Sequence, residues 1–270
     1  MSPLYLFSQI AAPFIVGLLQ IGLAIAIWRK KGRQDASNIL FALTVLSISF
    51  WCFAVALFNY APLFGYIEIF STLSYIAASF IPYFFLLFTF NFPSEKLRIS
   101  RKELLLLTIP FVITLLLSFF PYKIVREVRQ FSPENSIVIP GSGQVTYSLF
   151  LIGYFLYAFF NLFRKYHTTK GVLKTQVVHI ALATLVPTFI GITTDFFFVI
   201  FIAVQYNWIG PVSTIFLFLL ILYSMRKWRL FNLLIIQHGN RFLALVPSKE
   251  AKSLGFCVGY KRDLLGYALR

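Results

Sequence analysis

Acidic residues are scarce in this chain: nine Asp and Glu stand against 24 Lys and Arg in 270 residues. Catalytic side chains are scarcer still. Three histidines and two cysteines, Cys52 inside an apolar run and Cys257 far from it, supply neither a disulfide framework nor a ligand set at metal spacing. The His clusters of a membrane oxygenase are therefore excluded, and no nucleophile and base stand together as an enzyme would need. No cofactor and no metal site is expected. Charged residues make up 12% of the chain and hydrophobic ones 59%, with a mean hydropathy of +0.80. That leaves too little polar surface to cover a soluble core, whereas lipid accepts an apolar exterior. The net charge of +15 brings no groove-reading motif with it, so nucleic acid is not an expected partner. Lys and Arg fall in short loops and in the tail, where anionic lipid headgroups account for them.

Seven apolar runs are present, at about 7–28, 37–58, 67–92, 103–120, 145–163, 176–203 and 209–225. At about 1.5 Å per residue each crosses most or all of a bilayer core as a helix. The first run has no Lys or Arg before it and Arg29-Lys30-Lys31-Arg33 after it, the reverse of a cleavable signal peptide. Counting onward, each of three alternate loops holds four basic residues and the stretch after Met225 holds nine, whereas the opposite side holds three, Lys123, Arg126 and Arg129. The positive-inside rule then gives an all-α integral membrane protein of the plasma (inner) membrane, a bundle of seven transmembrane helices with the N-terminus outside and the C-terminus cytoplasmic. Residues 233–270 read as a short cytoplasmic juxtamembrane tail, too small for an ordinary catalytic domain.

The long outer segment from Pro121 to Gln144 carries alternating patches around Ser132-Pro133-Glu134-Asn135, which predict a small hairpin. It is expected to form a lid over the helix ends, with Lys123, Arg126 and Arg129 facing acids at Glu68 or Asp195. Asp195 is the one acid well inside an apolar run, and a charge at that depth calls for a partner or a function. Thr184, Thr188, Gly191 and Asp195 share one helix face beside Pro187, and Glu68, Ser71, Tyr75, Ala78 and Pro82 share another at comparable depth. The two stripes are expected to face each other. Asp195 then either pairs with an outer Arg or with hydroxyls, or lines a ligand or ion site, or lies near the interface. Trp51 falls near mid-membrane on a face with Thr44 and Ser47 and is either core packing or a pocket wall. The candidate ligand residues are Asp195, Thr188, Thr184, Glu68, Tyr75 and Trp51.

Three local words carry a resemblance. They are Asn91-Phe92-Pro93 before a basic loop, Pro140-Gly141-Ser142-Gly143 before run five, and the ending Ile209-Gly210-Pro211, Tyr223, Arg226-Lys227-Trp228-Arg229-Leu230-Phe231. Over residues 1–232 the chain resembles the seven-transmembrane N-terminal sensor region of bacterial membrane histidine kinases. The resemblance implies a signal-input module that senses an external or intramembrane cue and passes it to a cytoplasmic transmitter or partner, a histidine kinase or response regulator. It further implies no catalysis by this chain, because the phospho-accepting His setting and the ATP-site words of a transmitter do not occur. His238 is followed by Gly239, which disfavours a helix, and reads as an exposed juxtamembrane residue. A homodimer is compatible with this role. The alternative is a small multi-helix transporter or channel, which calls for several intramembrane charges and two related halves. Finally, no Gly or Pro occurs between Met225 and Gln237, so run seven is expected to continue as one helix across the inner interface. Arg226, Lys227, Trp228, Arg229 and Phe231 would mark that exit, with the basic side chains snorkelling to headgroups.

Overall fold

Lipid offers the backbone no hydrogen bonds, so each apolar run must satisfy its own N–H and C=O groups as a helix. A computed structural model of the chain describes residues 6–29, 36–61, 66–92, 99–120, 122–132, 135–198, 206–227, 230, 234–238 and 241–245. Among these residues seven helices are long and apolar enough to cross a membrane. They are α1 (Phe7–Trp28), α2 (Ala36–Tyr60), α3 (Ile67–Asn91), α4 (Arg101–Phe119), α5 (Gln144–Thr168), α6 (Gly171–Thr194) and α7 (Ile209–Lys227). The chain is a multi-pass membrane protein, and the expected seven-helix bundle is what forms.

Local chemistry sets several of the helix ends. At the start of α4 the Ser100 hydroxyl accepts the Glu103 N–H at 3.2 Å, and the Glu103 carboxylate accepts the Ser100 N–H at 2.9 Å, a reciprocal capping box. Between α5 and α6 the chain turns at Gly171 with φ of +59°, a conformation that costs glycine nothing. Beyond Gly191, α6 passes into π-helical turns over Ile192–Phe198. Helix α7 is built of Ile209–Ser213 and Ile215–Lys227 about Thr214.

Helices α1, α2, α3, α5, α6 and α7 pack successively around a ring that closes where α7 meets α1, and α4 stands outside it against α3 and α5. Phe111, Thr114 and Ser118 are the buried residues of α4, and most of its surface is left for lipid. Aromatic side chains fasten it: Tyr83 of α3 stacks on Phe111 at 4.2 Å, and Phe111 lies 6.2 Å from Phe150 of α5. The Tyr154 hydroxyl of α5 donates to the Leu107 carbonyl at 2.5 Å, just before Pro110. At the end of the bundle away from β1 and β2 (Val125–Ser132 and Asn135–Pro140), the Lys165 ammonium donates to the carbonyls of Thr89, Phe90 and Phe92 and so caps the last turn of α3. These carbonyls have no partner within their own helix, and a cation suits the negative end of the helix dipole.

Two short hairpins complete the described chain. β1 (Val125–Ser132) pairs antiparallel with β2 (Asn135–Pro140), and β3 (Leu234–His238) pairs antiparallel with β4 (Arg241–Leu245). The second corrects the expected continuous exit helix, because α7 ends at Lys227 and a strand begins at Leu234. The reason lies in the tail's composition. Ile235 and Ile236 favour a pleated strand, and the register places His238 opposite Arg241, leaving between them Gly239-Asn240, a residue pair suited to a two-residue hairpin connection.

Candidate functional cavity

The ring of helices lines a partly open cavity of about 130 Å³ at the end covered by the β1–β2 hairpin. Each wall is one helical stripe. Thr44, Ile48, Trp51, Val55 and Phe58 come from α2 at alternating spacings of four and three, and Ser71, Tyr75, Ala78, Ile81 and Phe85 come from α3. Helix α6 supplies Thr184, Pro187, Thr188 and Gly191, α5 supplies Tyr147, Leu151 and Phe155, and α7 supplies Thr214 and Leu217. Among the described residues every lining side chain is uncharged. Gly191 faces the Trp51 ring, and a Cβ there would touch the indole Cη2 at 3.4 Å.

Four of the six candidate ligand residues, Trp51, Tyr75, Thr184 and Thr188, therefore stand on one cavity wall or another. The stripes of α3 and α6 do face a common space, through Ser71, Tyr75 and Ala78 on one side and Thr184, Thr188 and Gly191 on the other. Glu68 is not among them: it is exposed in the first turn of α3, where its charge complements the helix N-terminus. The backbone of Asp195 belongs to the π-helical turns, and its side chain lies outside the described residues. Of the exit residues, Arg226 and Lys227 are exposed at the end of α7, with the Lys227 ammonium donating to the Tyr223 hydroxyl at 2.7 Å. Trp228, Arg229 and Phe231 lie outside the described residues.

The hairpin covers the cavity by apolar contact. Val138 of β2 is 4% exposed, lines the cavity and packs with Phe58, while Ile67, Phe70, Val125 and Val128 surround the pair. The expected ion pairs to Glu68 are not what holds it. Arg129 bonds Glu127 of its own strand at 3.0 Å, with both side chains largely exposed, and Lys123 and Arg126 face solvent. Residues two apart on a strand share a face, so Glu127 was the nearer acid from the start. Its carboxylate holds the Arg129 guanidinium above its ordinary pKa.

The hairpin's base is clamped by backbone. The Gly141 N–H donates to the Ile124 carbonyl at 2.8 Å and the Gly143 N–H to the Lys123 carbonyl at 2.7 Å. A Cβ on Gly141 would come within 2.3 Å of the Lys123 oxygen, so no other residue fits. Beside the cavity, Asn59 and Asn207 exchange amide hydrogen bonds at 3.0 and 3.1 Å, and Asn59 also donates to the Gln9 carbonyl at 2.9 Å. This ties α1, α2 and the start of α7 together. Reading the sequence missed this pair because both residues sit at the ends of apolar runs, where an amide reads as a turn residue. It missed the α5 wall too, although Tyr147, Leu151 and Phe155 recur every four residues.

A family model described as the N-terminal 7TM region of histidine kinase matches residues 12–234. No curated protein and no solved structure matches the chain.

Proposed function

The chain belongs to the N-terminal seven-transmembrane region of histidine kinases, and from that membership we propose that it senses a cue at the hairpin-covered cavity and passes it to a cytoplasmic transmitter, a histidine kinase or its response regulator. The observation that carries this reading is the cavity itself, since polar residues of five separate helices meet in one space within the bundle. Orientation follows the basic loops: the hairpin lies outside, and the ends of α1, α3, α5 and α7 lie in the cytoplasm. Helix α7 supports a route outward, because Thr214 and Leu217 touch the cavity and Arg226 and Lys227 lie on the same unbroken helix from Ile215 onward. A small displacement of α7 would then be handed to the β3–β4 hairpin rather than to a continuing helix.

The test joins the full chain to a histidine-kinase transmitter and measures autophosphorylation in membrane vesicles. Thr188→Leu and Gly191→Leu fill the cavity and are expected to shift the basal signal severalfold, whereas a leucine at lipid-facing Gly153 leaves it unchanged. Cysteines at Ser136 and Lys170 report orientation, with labelling by an impermeant reagent expected at Ser136 alone. Equal kinase output from all three leucine variants, in correctly oriented chains, overturns the input role.

A further inference from the structure

The lining serine and threonine hydroxyls fall into two groups. Those of Thr44, Ser74, Thr184 and Thr214 donate to carbonyls of their own helices, at 2.9, 2.7, 2.8 and 2.7 Å, to Leu40, Ser71, Ile180 and Pro211 respectively. Their protons are spent. Among the described residues, by contrast, the Trp51 indole N–H and the hydroxyls of Ser71 and Thr188 have no hydrogen-bond partner. Trp51 is half-buried against the cavity, and its indole N–H can donate but cannot accept in return. The residues that carry these donors belong to α2, α3 and α6 and line the same space.

We propose that the cavity binds a neutral, largely apolar molecule of one-ring size carrying a hydrogen-bond acceptor oxygen, and that Trp51, with Ser71 and Thr188, takes that oxygen. This rests on the reading of the cavity as the sensing site. Size comes from the volume: about 130 Å³ is close to the roughly 150 Å³ apolar cavity that admits benzene. Neutrality comes from the walls. Among the described residues every lining side chain is uncharged, so a carboxylate or ammonium would lose its hydration and find no counter-ion among them. The apolar body fits the remaining surface, including Ile48, Val55 and Phe155. The acceptor is what distinguishes this ligand from a lipid tail, which would leave all three donors bare.

The experiment uses the full chain in nanodiscs with three probes of one shape: acetophenone, ethylbenzene and benzoate. Binding is read by ligand-observed NMR, with displacement from the Gly191→Leu variant correcting for partition into lipid. Acetophenone is expected to bind, ethylbenzene about tenfold more weakly because the carbonyl bond is missing, and benzoate not at all. Trp51→Phe is expected to weaken acetophenone about tenfold and leave ethylbenzene unchanged. Thr188→Val, which keeps the shape, gives a smaller loss in the same direction should Trp51→Phe fail to fold. Benzoate binding as well as acetophenone overturns the neutral class, and equal binding of ethylbenzene overturns the acceptor site. Absence of any displaceable probe overturns the pocket itself. None of these results touches the kinase coupling measured above, so ligand class and input role fail separately.

Discussion

Replacing Gly141 by alanine isolates the clamp at the base of the hairpin. The new Cβ would stand 2.3 Å from the Lys123 carbonyl oxygen and 2.4 Å from that of Tyr122, and backbone at both contacts cannot rotate away. Reaching even 3.0 Å requires a retreat of roughly 0.7 Å between two strands of chain. Such a move breaks or lengthens the bonds from Gly141 and Gly143 to Ile124 and Lys123. Overpacking of this kind costs about 1–3 kcal/mol, and two backbone bonds add about 0.5–1.5 kcal/mol each. The chain can avoid part of that cost by releasing the hairpin, at the expense of the Val138 contact with Phe58. Two readouts are therefore needed. Thermal stability in detergent reports the global loss, and maleimide labelling of a Val138→Cys chain, with Cys257 replaced by serine, reports release of the lid. We expect Gly141→Ala to lower the melting temperature by several degrees or to unmask position 138 by at least tenfold in labelling rate. Gly143→Ala, whose Cβ meets Lys123 oxygen at 3.1 Å, gives a smaller effect. Gly153→Ala, with nothing within 4 Å, is neutral or stabilising by up to about 1 kcal/mol, as for any glycine inside a helix. Wild-type stability and wild-type protection at position 138 in Gly141→Ala would refute the clamp.

Two further outcomes follow from the packing. Asn59→Ala removes its bonds to Gln9 and Asn207 and strands the Asn207 amide, so a loss of about 1–3 kcal/mol is expected; a double-mutant cycle with Asn207→Ala measures the coupling, and strict additivity would show that the pair does not act together. Lys165→Met uncaps the carbonyls of Thr89, Phe90 and Phe92 at the end of α3 and should cost about 1–3 kcal/mol, detected as lower thermal stability and faster amide exchange at the last turn of α3, whereas Lys165→Arg retains part of the cap.

The number of helices and their membrane character were legible without coordinates, because the bilayer imposes one requirement, an internally satisfied backbone under an apolar surface, and a local run of residues either meets it or does not. The stripes of α3 and α6 were legible for the same local reason, since Ser71, Tyr75 and Ala78, or Thr184, Thr188 and Gly191, share a face by helical periodicity alone. What tertiary structure decided is which stripes share a space. The α5 wall, the reciprocal Asn59 and Asn207 amides and the Lys165 cap join residues 70 or more positions apart, and no local rule pairs them. The hairpin shows the limit most clearly. Its strands and turn could be read from alternation, but the basic residues suggested long-range ion pairs, and the fold instead satisfied Arg129 on its own strand and used Val138 to cover the cavity. Exposed charges gain little from pairing in water, whereas a buried valine gains from every atom it covers, so apolar contact settled where the lid lies. The end of α7 is a different case: the absence of Gly and Pro permitted a longer helix, yet α7 ends at Lys227 and Leu234–His238 pairs with Arg241–Leu245, a local hairpin that the strand-favouring Ile235 and Ile236 made legible.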